Sequence, residues 1–544
     1  MSSIPKRHVL APKMPKTQRR LAAVDLGSNS FRLEVGYVEH GRFYRTEYLK
    51  EAVRQGNGLD DNKNLTTQAM ERGWDCLARF GERLAGFEAG DVRAVATQTL
   101  REAHNQDEFL TRGQELLGFP IDVISGLEEA RLIYQGVAQT MPDGQERRLV
   151  IDIGGRSTEL ILGQGFAPKQ MGSYRIGSVS WSMQFFPDNR FSRSAFQNAE
   201  TAAKAVLEEA LNTYRRDAWD ITYGTAGTVG SVCDVLSAAG GPADCVTRDG
   251  LDWLQDQLLK AKSADQLNLA GLKDDRRALI GAGLSILRAI FELLEIDQMQ
   301  MASAGLRHGL LAELMGRPAD SMDLQTRSVQ RLANKFEVDA DQAERVGKVA
   351  QFLFDQIYPC TAMSEGLKTN WSSEKLLIEI NWAAQLHEIG SHIAHTDSHK
   401  HGHYIIGNSD ATGFTMPELH RLSLLVLGHR GKLRKLIAHL YEANFLRQLL
   451  ALRLAVILCH ARRDPQLQGL TLIADNHSLQ GFVLGFRAGW DKAFPQSAHL
   501  LREEMLAWQK TPWSLTINAL NFGQAQHAHF LLPLEHNEFP LQRY

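Results

Sequence analysis

The chain has 544 residues, 44% hydrophobic and 23% charged, with a formal net charge of −3. That length leaves room for several domains and a large buried core. The near-neutral balance excludes bulk attraction to polyanions, so any such partner must meet a local basic patch, and no specific nucleic acid is expected.

Five cysteines, Cys76, Cys233, Cys245, Cys360 and Cys459, form no CxxC pair. This fits a reduced, cytoplasmic protein. No apolar run reaches the roughly 18 residues of a membrane span. Residues 1–20, "MSSIPKRHVLAPKMPKTQRR", have basic side chains but no apolar signal core, and read as a flexible basic arm.

Residues 21–140 read as strands, helix, strand and helix. "RLAAVDLG" is an apolar strand and "FRLEVGYVEHG" its alternating hairpin partner. "LTTQAMERGWDCLARFGERLAGF" has helical spacing, and "VRAVATQT" is a short strand entering a helix. Residues 141–317 repeat the order: "RRLVIDIGG" and "STELILG" as strands, "SRSAFQNAETAAKAVLEEALNTY" as a helix, and "DITYGTAGTVGSVCDVL" as strand, turn and helix.

The repetition is written into the words themselves. When "AVDLGSNSFRLEVG" is set over "VIDIGGRSTELILG", Asp25 meets Asp152, Gly27 meets Gly154, Ser30 meets Ser157, and Gly36 meets Gly163. Asp25 and Thr97 are 72 positions apart, Asp152 and Thr225 73. Two α/β lobes of one design follow, with equivalent strand ends facing a cleft.

Residues 318–467 are nearly all helix-periodic. A small α+β domain is expected over 468–544, ending in a polar tail.

Asp-x-Gly-x-x-Ser at a sharp strand-to-strand turn suits an anion. Glycines let the backbone approach closely and successive N–H groups form a nest. Ser28, Ser30, Ser157 and Thr158 add hydroxyl donors, and Asp25 or Asp152 could hold Mg²⁺. One such loop is explained as well by a structural turn; two at matched positions make a phosphate clamp. "GTAGT", Gly224 to Thr228, adds a third loop opening a helix, with Thr225 and Gly227 inside it.

"SGLEEARLIYQG" offers two adjacent carboxylates. Ser125-x-x-Glu128 is a capping box, which assigns Glu128 to the helix start. Leu127, Ala130, Ile133, Tyr134 and Val137 mark the buried face; Glu128 points away from it and Glu129 sits at its edge. Glu129 is the better candidate base for polarising water.

Together "AVDLGSNSFRL", "TQTLREAHN", "ISGLEEARLIY", "VIDIGGRSTEL" and "YGTAGT" resemble the exopolyphosphatase and guanosine-pentaphosphate phosphohydrolase (Ppx/GppA) family, strongly over residues 20–320 and more loosely beyond. The resemblance implies an α/β fold of duplicated ribonuclease-H-like lobes of the actin–hexokinase type, followed by an all-α HD-like domain. It also implies Mg²⁺-dependent attack of water on a terminal phosphoanhydride. Its catalytic glutamate falls on Glu129, its metal-linked acids on Asp152 and Glu159, and its basic phosphate contact on Arg101. Where the family's second loop reads Gly-Gly-Gly-Ser, this chain has Gly154-Gly155-Arg156-Ser157. The equivalent first-lobe residue is Asn29, so the turn accepts a side chain, and Arg156 is expected to donate to a phosphate.

"HEIGSHIAHTDSHKHGHY" packs six histidines between His387 and His403. An active HD set needs a His-Asp pair, but here it is His387-Glu388, so the cluster reads as structural. Arg430, Lys432, Arg434 and Lys435 form a basic cluster, either an ordinary solvated face or a rail for a long polyanion.

The expectation is a cytoplasmic, homodimeric exopolyphosphatase. The alternatives are hydrolysis of guanosine pentaphosphate at the same site, a non-catalytic polyphosphate or alarmone sensor, and a sugar- or acetate-type kinase.

Overall fold

The computed structural model describes residues 19–40, 42–141, 145–315, 318–358, 373–409, 411–474 and 481–520. The basic arm up to residue 18, Cys360 and the polar tail after residue 520 lie outside the described residues.

Two compact units divide the chain. Among the described residues, the first comprises 19–328 together with 411–419, and the second 329–409 and 420–520. Residues 318–328, expected in the helical domain, therefore belong to the first unit, as do 411–419. A backbone bridge from Ile124 to Thr415 and a hydrogen bond from the Gly413 N–H to Glu128 (2.8 Å) tie the latter there.

Within the first unit, the first lobe contains strands β1 (Arg20–Leu26), β2 (Phe31–Glu39), β3 (Arg42–Glu51), β4 (Val92–Ala96) and β5 (Ile121–Val123). They form one sheet in the order β3-β2-β1-β4-β5. Helices α1 (Thr67–Leu84), α2 (Gln98–Glu102), α3 (Gln106–Leu117) and α4 (Gly126–Ala138) connect and follow them. The second lobe has β6 (Arg147–Ile153), β7 (Thr158–Gln164), β8 (Ala167–Tyr174), β9 (Ile221–Thr225), β10 (Cys245–Thr247) and β11 (Gln298–Met301), ordered β10-β11-β9-β6-β7-β8. Its helices are α5 (Ser178–Phe185), α6 (Arg193–Leu207), α7 (Ala226–Ala238), α8 (Arg248–Ala261), α9 (Ile280–Leu293) and α10 (Leu306–Leu314).

The topology is duplicated. Strands β1, β2 and β3 form an antiparallel meander, with β4 parallel to β1 on its other side; β6, β7, β8 and β9 repeat this arrangement. The third strand of each meander, β3 and β8, is largely exposed and has no apolar alternation strong enough to announce it. Register slips between Val35 and Gly36 in one lobe and between Leu162 and Gly163 in the other. A β-carbon on Gly36 would stand 2.3 Å from the Tyr44 carbonyl oxygen, and one on Gly163 2.1 Å from the Tyr134 ring. The paired glycines of the repeat thus mark paired bulges.

Strand parity places the repeated aspartates. In β1, Ala22, Val24 and Leu26 enter the first-lobe core with α1 and α3, while Leu21 and Ala23 face the layer between the lobes. Asp25 has the parity of Leu21 and Ala23. In β6, Leu149, Ile151 and Ile153 enter the second-lobe core and Val150 faces the shared layer, as does Asp152 by parity. Helices α4 and α10 fill that layer through Ala130, Ile133, Tyr134, Leu306 and Leu310. They cross backbone to backbone: a β-carbon on Gly309 would lie 2.0 Å from the Leu132 carbonyl oxygen.

In the second unit, helices Ala340–Ile357, Ser373–Leu386, Ser398–Gly407 and Ala443–Leu458 precede a three-stranded sheet of Thr471–Ala474, Gly481–Arg487 and Ser514–Leu520, with one helix at Pro495–Trp508. Among the described residues no helix is long and apolar enough to cross a membrane.

Candidate active site

The strand ends of the first unit enclose a cavity of about 520 Å³. Three backbone loops line it: Gly27–Ser30 between β1 and β2, Gly154–Gly155 with Ser157 between β6 and β7, and Thr225–Thr228 where β9 enters α7. In the second loop, the carbonyls of Gly154 and Gly155 accept hydrogen bonds from the N–H groups of Ser178 (3.0 Å) and Val179 (2.7 Å), which fixes its turn against α5. Helix α7 has no side-chain cap, because the Thr225 hydroxyl donates to the Ala304 carbonyl instead (2.6 Å). Its first-turn N–H groups therefore remain available to an anion.

Asp25, Glu129 and Asp152 bring three carboxylates to the cavity, and Asp234 and Asp244 two more. Burial, then the charges of Glu129 and Asp25, push Asp152 up to about 7 against the pull of Arg32 and Arg307. Burial also raises Glu129, opposed by Arg101 and reinforced by Asp25. Arg32, the cross-strand partner of Asp25, stands 3.3 Å from it, and Arg307 3.6 Å.

The five cations Arg32, Lys50, Lys273, Arg276 and Arg307 also line the cavity. Sequence reasoning missed all five. Arg32 was within reach, since a tight hairpin after Asp25 pairs the two. The other four come from β3, from the segment before α9 and from the start of α10, and no local motif links them.

Several expected residues stand elsewhere. Glu159, the cross-strand partner of Asp152, is buried, does not line the cavity and accepts a hydrogen bond from Ser173 (2.8 Å). The Thr158 hydroxyl donates to the Ile176 carbonyl (2.7 Å), so it offers no donor to a ligand. Gly224 packs on Met299 and Val229. Arg101 does not line the cavity; its Nη1 donates to Glu129 (2.9 Å) and to the Ile124 carbonyl (2.7 Å). Arg156 needs no glycine-like backbone, as it is absent from the left-handed residues. Its guanidinium turns away from the cavity to Glu102 (2.7 Å) and the Gly56 carbonyl (3.0 Å). Where a contact with phosphate was expected, Arg156 here makes a contact across the lobes.

The adjacent carboxylates separate as expected in one respect and not in another. Ser125 caps the Glu128 N–H (3.1 Å). Glu128 is not solvated, however: it is buried, pairs with Arg131 (2.6 Å), and accepts from the Gly413 N–H. Residues 411–419 cover a helix start that the local pattern leaves open.

In the second unit, His387 and His429 are buried with rings 5.4 Å apart, and each Nδ1 lies 2.6 Å from a backbone carbonyl, of Ala384 and Val426. Burial holds both below the usual histidine range. Arg430, Lys432, Arg434 and Lys435 are exposed. Among the described residues no three His, Cys, Asp or Glu side chains form a ready cation cage.

Comparison with known proteins divides the chain near residue 320. The model of the Ppx/GppA phosphatase family matches residues 36–318, and that of domain III of Ppx/GppA phosphatases residues 324–507. The chain is 38% identical over 502 residues to a guanosine-5'-triphosphate,3'-diphosphate pyrophosphatase of Vibrio atlanticus, covering 92% of this chain and 98% of the relative. It is 38% identical over 496 residues to one of Aeromonas hydrophila, covering 90% and 97%. An exopolyphosphatase structure from Cytophaga hutchinsonii shares the fold at a TM-score of 0.50 and 23% identity, over 55% of this chain and 98% of that one.

Proposed function

This chain belongs to the Ppx/GppA phosphatase family of phosphoanhydride hydrolases, and on that premise we propose that it removes the terminal 5'-phosphate of guanosine pentaphosphate. The observation that carries this reading is the similarity to guanosine-5'-triphosphate,3'-diphosphate pyrophosphatases over nine-tenths of the chain, and it favours the nucleotide over the polyphosphate expected from motifs alone. A substrate with phosphates at both 5' and 3' positions suits a cavity lined by three anion loops and five cations.

Water attacks the terminal phosphorus; its oxygen forms the new P–O bond as the bridging P–O bond breaks. Orthophosphate and guanosine tetraphosphate leave. Glu129 accepts the proton of the attacking water, and its raised affinity for protons suits a base. Loop N–H groups, Ser28, Asn29, Ser30, Ser157 and Thr228 hold the transferred group, and positioning and electrostatics carry most of the rate.

Mg²⁺ fits this donor set in a limited way. Asp25 and Asp152 line the cavity while Glu159 does not, and Mg²⁺ is commonly held by one or two carboxylates plus substrate phosphates. When bound there, it would neutralise phosphate charge.

Orthophosphate release from guanosine pentaphosphate and from long polyphosphate, assayed side by side, tests the reading. The nucleotide is expected to have the higher kcat/KM, by about tenfold or more. A variant with Arg430, Lys432, Arg434 and Lys435 changed to alanine should keep its nucleotide turnover. Faster turnover of long polyphosphate, lost selectively in that variant at low salt, would restore the polyphosphate reading.

A further inference from the structure

A continuous line of side chains runs from the second lobe to Glu129. Arg156, in the β6–β7 loop, donates to Glu102 Oε2 through Nη2 (2.7 Å) and Nε (3.2 Å). Gln98 donates through Nε2 to Glu102 Oε1 (2.5 Å). The Gln98 Oε1 accepts from Arg101 Nη2 (2.7 Å) and Nε (3.1 Å). Arg101 Nη1 then donates to Glu129 Oε2 (2.9 Å).

The polarity of this line has only one solution. Both arginines are donors alone and both carboxylates acceptors alone, so the Gln98 amide must present its NH₂ to Glu102 and its oxygen to Arg101. Gln98, Arg101 and Glu102 lie on one face of α2, at spacings of three and four. Two cations and two anions alternate along it, which makes their partial burial tolerable. Arg156 is the member from the opposite lobe, and its third contact, to the Gly56 carbonyl, is also to the first lobe.

We infer that Arg156, Glu102 and Gln98 are positioning residues that set the Glu129 carboxylate through Arg101, so that the placement of the base in one lobe depends on a loop of the other. The inference rests on the reading of Glu129 as the base, whichever phosphoanhydride is the substrate. Arg156 does not line the cavity, so its loss should act on turnover and not on binding. Each link of the line holds the next in a single orientation, and a misplacement of the order of 1 Å at a reacting group costs up to about 10²-fold in rate.

The test is the steady-state kinetics of Arg156→Ala, Arg156→Lys and Gln98→Met, each alone and combined with Glu129→Gln, on guanosine pentaphosphate and polyphosphate. Arg156→Ala and Gln98→Met are each expected to lower kcat about tenfold or more with KM near the wild-type value. Arg156→Lys, which keeps the charge beside Glu102, should recover part of the loss. In the Glu129→Gln background the residual rate should not change when Arg156 or Gln98 is replaced, because the base through which they act is gone. A further loss in that background, or a change confined to KM, would overturn the relay while leaving Glu129 as base. Full turnover in Glu129→Gln alone would remove both.

Discussion

Glu129→Gln is expected to lower kcat by roughly 10²- to 10⁴-fold while substrate still binds. The amide keeps the shape of the side chain but cannot accept a proton from water. The loops and the cavity cations, to which the proposed reading assigns binding, are untouched. In the wild type, kcat should fall as pH drops through the pKa of Glu129. Burial raises that pKa, and the Asp25 charge adds to the rise, so the loss should begin at higher pH than for an ordinary carboxylate. Glu128→Gln is the control, with a different signature. Glu128 pairs with buried Arg131 and holds the Gly413 N–H, so its loss should destabilise the fold by on the order of 3 kcal/mol, softened by the remaining pair between Arg131 and Glu313. Activity per folded molecule should persist. Thermal unfolding and single-turnover assays on both variants decide the matter; equal loss of chemistry in the two would sink the assignment.

Arg276→Met is expected to weaken binding of guanosine pentaphosphate by roughly 30- to 150-fold, the equivalent of about 2–3 kcal/mol, without lowering stability. Arg276 is buried against Gly227 of the third loop, where a β-carbon would come within 2.2 Å of Nη2. Among the described residues it makes no side-chain hydrogen bond, and its nearest carboxylate, Asp275, is 3.8 Å away and shared with Lys50 at 2.9 Å. Burial, then the Arg32 charge, holds its guanidinium below the usual range. A buried cation so poorly paired costs stability, and methionine of similar length removes that cost. Calorimetric titration in the Glu129→Gln background, where the ligand is not consumed, measures the affinity; scanning calorimetry measures stability. Unchanged affinity, or a clear drop in Tm, would show that Arg276 serves the fold and not the ligand.

The duplicated words were legible because they report covalent neighbours. Asp25, Gly27 and Ser30 sit within one turn, as do Asp152, Gly154 and Ser157, and a turn is decided by residues adjacent in the chain. The face taken by Asp25 was not legible: an apolar run shows alternation, but only the packed layers show that the side of Leu21 and Ala23 meets the other lobe. Strands β3 and β8 were not readable, since each gains its place by pairing with a neighbour that is already formed. Arg156 illustrates the limit most clearly. Its sequence position says that it belongs to an anion loop, and its charge says that it could donate there, but a long side chain turns to whichever acceptor lies within reach, here Glu102, 54 positions away.

The sequence by itself determined the two lobes, the paired loops and the placing of Glu128 at the helix cap and Glu129 toward the cavity, because these depend on spacing, periodicity and turn chemistry within short windows. Only the tertiary structure decided which charges meet. It brought Lys50, Lys273, Arg276 and Arg307 to the cavity, left Glu159 and Thr158 out of its lining, buried Glu128 under residues 411–419, and turned Arg156 toward α2. The physical reason is range. Backbone conformation is set over a few residues, whereas an ion pair or a hydrogen bond is set by distance in space, and folding brings together groups that the chain holds hundreds of positions apart.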